Sequence, residues 1–293
     1  MTENGVKVSR LEAQIGSDED AHKTIELAEK LKTESIVADG YSFGKSYQGA
    51  LRGAKGCFCF IDDGANLDGY RADLLINPNL YATEEMYAGQ EIGKLLVGRK
   101  FAMLRKEFWE QRDKPAALRT RHVLITMGGS DPDNVTGKVV RSVKGSSLEN
   151  IGIRAIAGAG NPYWETLQVQ AGRPGHPVEL LQNVADMRAQ FEWADICVSA
   201  AGNTALELAC VGLAGLYIIL VDNQEPVARA IRKFGFGRVL GWHEDVNEEA
   251  IRAAVRDILA STEERDRMGR WGQELVDGKG ALRVAAALRE ACA

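Results

Sequence analysis

The chain is poor in the features that mark several large classes of protein. No stretch of its 293 residues approaches the roughly 20 consecutive apolar residues of a membrane span, and Met1-Thr2-Glu3-Asn4 begins nothing like a signal peptide. The expectation is a cytoplasmic protein with no membrane span. There are 4 histidines, and neither H-x-x-x-H nor C-x-x-C spacing occurs, so no metal site is expected. His22, His122, His176 and His243 stand apart in unrelated surroundings. The 5 cysteines are irregularly placed, as in a reducing compartment, and Cys57 and Cys59 alternate with Phe58 and Phe60 as core residues of a strand. A net charge of −5 gives no electrostatic case for nucleic acid. The G-x-G-x-x-G fingerprint, a P-loop lysine and the G-x-S-x-G elbow are missing, which disfavours a nicotinamide cofactor, an ATPase and a serine hydrolase.

What is present is regular. From Arg121 onward, apolar runs alternate with amphipathic stretches. Strands are expected at 122–127, 151–157, 178–181, 195–198, 216–221 and 238–240, and helices at about 134–143, 163–170, 184–193, 204–211 and 225–234. Strict βαβα order predicts a parallel sheet with right-handed crossovers, a Rossmann-like domain. Residues 246–293 read as closing helices, with Ile251, Val255, Ile258 and Leu259 as a core stripe. Residues 5–120 read as a second α/β segment. Strands are expected at Val6 to Val8, 35–38, 57–61 and 72–77, helices at 19–32 and 44–52, and a solvated linker helix within 98–120. The boundary is placed between 112 and 113, giving domains 1–112 and 113–293.

The organising stretch is Ser199-Ala200-Ala201-Gly202-Asn203-Thr204-Ala205-Leu206-Glu207, which follows the apolar run Ile196-Cys197-Val198. A strand, a small-residue turn and a helix N-terminus direct free N–H groups and the positive end of the helix dipole at one spot, a seat for phosphate. Glu207, one turn in, has a carboxylate suited to ribose hydroxyls. A tight βα turn that needs small residues only for packing is the other reading, and both stay open on this stretch alone. Gly128-Gly129-Ser130 and Asp222-Asn223-Gln224-Glu225 also follow strands, and in a doubly wound sheet such turns border one crevice. A nucleoside diphosphate there is held by backbone dipoles. Asp39, Tyr41 and Asn77 stand at strand ends of the first segment. The adjacent acids Asp62 and Asp63 point to opposite faces, so at least one of them is expected to serve a turn or cap.

Together, Ile125 to Pro132, Ser199 to Glu207, Asp222-Asn223-Gln224, Val37 to Tyr41, Ile61-Asp62-Asp63, Ala72 to Asn77 and Leu95 to Phe108 resemble the UDP-2,4-diacetamido-2,4,6-trideoxy-β-L-altropyranose hydrolases of pseudaminic acid biosynthesis. That family has the two-domain glycosyltransferase-B fold and is similar to MurG-type glycosyltransferases. The resemblance implies two Rossmann-like domains and release of UDP from a UDP-sugar by water, without metal or cofactor. It assigns Glu207 to the uridine ribose and Ser199, Ala201, Gly202, Asn203 and Thr204 to the diphosphate. Gly128, Gly129, Ser130, Gln224, Asp39 and Asn77 join the binding set, and Tyr41 and Asn223 take the catalytic side. The family's first strand-turn-helix unit, whose G-x-G-H turn carries the expected general base, has no counterpart here, and Gly40 stands where the family often has histidine. An incomplete first domain, and binding with weak or no hydrolysis, are therefore expected. A glycosyltransferase of the same fold and a non-catalytic nucleotide-sugar-binding protein are the alternatives. A monomer is expected.

Overall fold

Cys57 to Phe60 and Ala214 to Ile219 are buried along their whole length, the pattern of parallel strands covered on both faces. The computed structural model describes residues 6–110, 121–129, 131–146 and 148–291. In chain order the elements are α1 (Asp18–Leu31), β1 (Ser35–Asp39), α2 (Lys45–Arg52), β2 (Cys57–Ile61), β3 (Arg71–Asn77) and β4 (Glu91–Val97). Next come β5 (His122–Thr126), α3 (Val135–Lys144), β6 (Gly152–Ala157), α4 (Trp164–Gly172), β7 (Val178–Gln182) and α5 (Met187–Trp193). The rest are β8 (Ile196–Ala200), α6 (Thr204–Val211), β9 (Ala214–Ile219), α7 (Glu225–Phe234), β10 (Gly237–Trp242), α8 (Glu248–Ala260), α9 (Thr262–Leu275) and α10 (Gly280–Ala291). The chain forms two units, Met1–Phe101 with Gly280–Ala293, and Ala102–Lys279. The boundary expected between 112 and 113 lies outside the described residues.

In the first unit β1, β2, β3 and β4 form a parallel sheet in that order. Side chains alternate across it. Phe58, Phe60 and Leu75 join Tyr47 and Leu51 of α2 on one face, whereas Cys59, Leu74, Ile76 and Leu96 meet Val284 and Ala287 of α10 on the other. The last helix therefore belongs to the first unit's core. Val6 and Val8 do not form the expected strand. They are 61% and 74% exposed, and no strand of the sheet pairs with them. Strand β4 was not foreseen, because only Leu96 of its seven residues is buried and its charges face outward, as on an edge strand.

The second unit has the parallel order β10-β9-β8-β5-β6-β7. Chain direction across the sheet reverses between β5 and β8, which places a topological switch point at their carboxyl ends. Val135, Val139, Val140 and Val143 of α3 and Ile251, Val255, Ile258 and Leu259 of α8 cover one face of this sheet in a single apolar core. No linker helix forms over the described part of 98–120, which holds only short 3₁₀ turns at Arg99–Phe101 and Lys106–Phe108. Instead of being solvated, Phe108 is fully buried. It packs on Phe191 of α5, with ring centroids 5.8 Å apart, and its carbonyl accepts from Cys210 Sγ of α6. Burial of this aromatic outweighs the helix propensity of its charged neighbours. Among the described residues no helix is long and apolar enough to cross a membrane.

Candidate functional site

Three strand-end turns of the second unit line one cavity of about 290 Å³: Met127-Gly128-Gly129 after β5, Gly202-Asn203-Thr204 after β8, and Leu220, Val221 and Gln224 after β9. Ala200, Asp131 and Pro132 complete the lining. The volume is at the lower end for small-molecule sites and suits a compact polar group. Ser130 lies outside the described residues.

Each turn is held open by local chemistry. Gly128 has φ +87°, and a Cβ at Gly128 or Gly129 would meet no atom within 4 Å, so both glycines face open space. Behind them stands Gly158, where a Cβ would lie 2.2 Å from the Gly129 carbonyl oxygen and 2.6 Å from that of Gly128. The small residue after β6 thus sets the position of the turn after β5. Asp131 is 2% exposed, and its two carboxylate oxygens accept from the N–H groups of Val135 and Thr136 over 2.8 and 2.9 Å. That carboxylate occupies the N-terminus of α3. The N-terminus of α6, by contrast, carries no side-chain cap, since Asn203 makes no such bond. Ala205 and Leu206 donate their N–H groups to the Gly202 and Asn203 carbonyls over 2.9 and 3.0 Å, so it is the dipole of this uncapped helix that remains to attract an anion. Gln224 spends its Oε1 on the Leu220 N–H at 2.9 Å and turns its Nε2 toward Gly202. No basic side chain is found among the described lining residues.

Gly128, Gly129, Gly202, Asn203, Thr204 and Gln224 are therefore brought together. Ser199 is not among them: β8 continues through Ala200, paired with β9 as far as Ala200 and Ile218, and this turns Ser199 into a fully buried strand residue whose Oγ has no hydrogen-bond partner among the described residues. Ala201 is likewise buried and acts through its backbone, donating to the Ile218 carbonyl. Asn223 is exposed on the 3₁₀ turn Asp222–Gln224 and does not line the cavity. Glu207 sits one turn along α6, about 4.5 Å further by helical rise, and also lies outside the lining. Its carboxylate is gripped side-on by Arg105, from Nε to Oε1 at 2.9 Å and from Nη2 to Oε2 at 3.0 Å. Burial pushes the Glu207 carboxyl above the usual carboxylate range; the Arg105 guanidinium pulls it back, and the nearby Glu107 adds to the rise.

In the first unit, Asp39 and Tyr41 border a hollow of about 10 Å³ with Asp62 and Asp63. Tyr41 donates its hydroxyl to Asp63 over 2.7 Å. Partial burial and then the Asp63 charge raise the Asp39 carboxyl. Asn77, expected in the binding set, does not line the hollow. It is fully buried, donates to the Tyr87 hydroxyl and accepts from Asn79, because β3 is an inner strand whose end is covered by the following loop. Of the adjacent acids, Asp62 is the buried one. It accepts from Ala65 N–H, Tyr70 and Tyr87, a structural role that leaves Asp63 exposed. Among the described residues no group of three or more His, Cys, Asp or Glu is placed to hold a metal ion.

Arg105, Asp131 and Gly158 are the residues that sequence reading did not single out. Arg105 lies within the Leu95 to Phe108 run, but no spacing marks which helix its side chain will meet.

Comparison with known proteins agrees with this architecture. Residues 122–277 match the glycosyltransferase family 28 C-terminal domain. The spore coat polysaccharide biosynthesis protein SpsG of Bacillus subtilis is 25% identical over 269 residues, covering 90% of this chain and 73% of that protein. Among solved structures, Acinetobacter baumannii MurG superposes with a TM-score of 0.65 at 17% identity, over 92% of this chain and 77% of that one. The UDP co-structure of S. aureus MnaA gives 0.63 at 11% identity, over 92% and 79%. The two parallel-sheet α/β units are of the glycosyltransferase-B type, and the chain belongs to the family defined by the glycosyltransferase family 28 C-terminal domain, carried by its second unit.

Proposed function

We propose that this chain binds a UDP-sugar and transfers the sugar from UDP to an acceptor hydroxyl. The observation that carries the reading is the meeting of three strand-end turns with the uncapped N-terminus of α6 at one cavity that no described basic side chain lines. A diphosphate seated there accepts from backbone N–H groups, and the same dipoles stabilise the charge that gathers on UDP as the bond from the anomeric carbon to the β-phosphate oxygen breaks. The acceptor oxygen forms the new bond to that carbon, and its proton passes to solvent water. Glu207, a turn further along α6, is assigned to the ribose hydroxyls. Family membership and the UDP bound by MnaA favour this chemistry over an unrelated ligand.

Water in place of the acceptor hydroxyl gives the second reading, a UDP-sugar hydrolase. It is supported by the motif resemblance, which assigns Tyr41 and Asn223 to the sugar and the attacking oxygen and includes Asp39 in the binding set. Calorimetric titration with UDP, UMP and uridine tests the nucleotide site; binding of UDP in clear preference to uridine is expected, and no binding of UDP overturns the reading. UDP release from UDP-sugars is then followed with and without sugar or lipid acceptors. Release that requires an acceptor decides for transfer, and release into water alone decides for hydrolysis.

A further inference from the structure

We propose that Asp131 is a specificity-determining residue of the nucleotide cavity: its fixed carboxylate limits the negative charge held there, favouring a diphosphate esterified at both ends over one with a free terminal phosphate. The proposal rests on the nucleotide reading above. Its basis is the presence of a carboxylate in the lining of a cavity that otherwise suits an anion.

Asp131 cannot turn away. Its two oxygens accept from the Val135 and Thr136 N–H groups, and its own carbonyl accepts from the Asn134 N–H at 3.2 Å. The turn is pinned from outside as well, since Tyr163 donates to the Pro132 carbonyl over 2.8 Å and Asp133 stands 3.7 Å from His243. A helix N-terminus is equivalent to about half a positive charge. At α3 that half faces the whole negative charge of Asp131, which leaves about half a negative charge on this side of the cavity. At α6 no side chain caps the end, and about half a positive charge remains. The cavity thus draws an anion to one helix and repels further charge at the other.

Other charged groups near these turns lie outside the lining. Asp133 and His243 face each other, Lys138 of α3 donates to the His243 and Val246 carbonyls, and Asp222 and Glu225 flank Gln224. A UDP-sugar carries two negative charges on its diesterified phosphates, whereas free UDP gains a third as its terminal phosphate loses its last proton at about pH 6. Asp131 opposes that third charge. The α6 dipole receives the diphosphate both before and after the sugar leaves, and Asp131 weakens retention of the free UDP.

The measurement is calorimetric affinity, in EDTA, for UDP and for its methyl ester on the terminal phosphate. The two differ by a methyl group and, at pH 8, by one charge. In the wild-type chain the ester is expected to gain on UDP between pH 5, where both carry two charges, and pH 8. Asp131→Asn removes the charge and keeps one acceptor for the α3 N–H groups, with Asn134 still accepting from Gly137. It is expected to shift the ratio of the two affinities toward UDP by about fivefold at pH 8 and to leave it unchanged at pH 5. Asp133→Asn, at a side chain 54% exposed and outside the lining, is expected to leave the ratio as it is. Both ligands are titrated into one preparation, so partial unfolding cancels from the ratio; should Asp131→Asn not fold, the wild-type comparison of pH 5 with pH 8 decides. If UDP gains on the ester as pH rises in the wild-type chain, if Asp131→Asn leaves the pH 8 ratio unchanged, or if Asp133→Asn shifts it equally, Asp131 is a helix cap alone and the proposal fails while the nucleotide site stands. If neither ligand binds, the nucleotide reading fails, and this proposal with it.

Discussion

Arg105 and Glu207 form an unequal pair: the guanidinium side chain is 44% exposed, whereas the carboxylate side chain to which it is bound is only 12% exposed. Loss of the partner therefore has opposite consequences on the two sides. Without Glu207 the arginine turns to water; without Arg105 the glutamate stays buried.

The first prediction is that Arg105→Ala destabilises the chain more than Glu207→Gln does. Stranding one member of a buried pair costs about 3–5 kcal/mol; the exposure of Arg105 reduces this to about 1–2 kcal/mol here. The sign with pH follows from the carboxyl, which burial raises and Arg105 lowers. In Arg105→Ala its folded-state pKa is raised further above the unfolded value, so the stability it contributes is present at low pH and lost as pH rises through the folded-state value. Urea unfolding at pH 5 and pH 8 checks this, and an Arg105→Ala deficit no larger at pH 8 than at pH 5 contradicts it.

Gly158→Ala tests the support of the cavity from behind. An added Cβ at 2.2 Å from the Gly129 oxygen forces the turn after β5 to move, with an expected loss of about 1–3 kcal/mol and weaker binding of UDP. Gly160→Ala is the control. Its Cβ would stand 3.6 Å from the same oxygen, an ordinary contact, and stability and binding should be unchanged. Equal behaviour of the two variants in thermal melts and titrations would show that the turn does not lean on Gly158.

Tyr217 is buried on β9, and its hydroxyl has no hydrogen-bond partner among the described residues. Its ring fills space left by Gly215 and Gly237, where a Cβ would come within 2.3 Å of it. The ring is thus the packing element and the hydroxyl is a liability, since burying an unpaired polar group costs about 1–3 kcal/mol. Tyr217→Phe should raise stability by about 1 kcal/mol, or the melting temperature by about 2–4 °C. A fall in melting temperature would show that the hydroxyl contributes to the fold.

The second sheet was legible because its strands are continuous apolar runs broken by glycine turns: α6 and α7 fall where the sequence places them, and the stripe Ile251, Val255, Ile258 and Leu259 is buried as expected. The meeting of the turns at Gly128, Gly202 and Gln224 was legible too, because order of strands and position at a strand's end are both local facts. The misses share a cause. Ser199 entered the strand because pairing with β9 runs on to Ala200, Asn77 was buried by a loop from its own unit, and Phe108 drew a charged segment into the core. Each depends on a partner distant in sequence that no periodicity announces. The link from Arg105 to Glu207, across 102 positions, is of the same kind.

The last prediction concerns Asp62, whose carboxylate accepts from the Ala65 N–H at 2.7 Å, Tyr70 at 3.0 Å and Tyr87 at 2.6 Å. Burial first, with the Asp62 charge adding to it, pushes both tyrosine hydroxyls above the ordinary phenol range, so both are protonated donors at neutral pH. Asp62→Ala leaves two buried hydroxyls without this acceptor and should cost about 2–4 kcal/mol. Tyr87→Phe removes one donor to Asp62 and the acceptor of Asn77 Nδ2, and should cost about 1–2 kcal/mol. Because the two changes break the same bond, the double variant should lose less than the sum, by about 1 kcal/mol. Urea midpoints of the four proteins measure the coupling; strict additivity would mean that Asp62 and Tyr87 act independently and that no shared network closes the end of the first sheet.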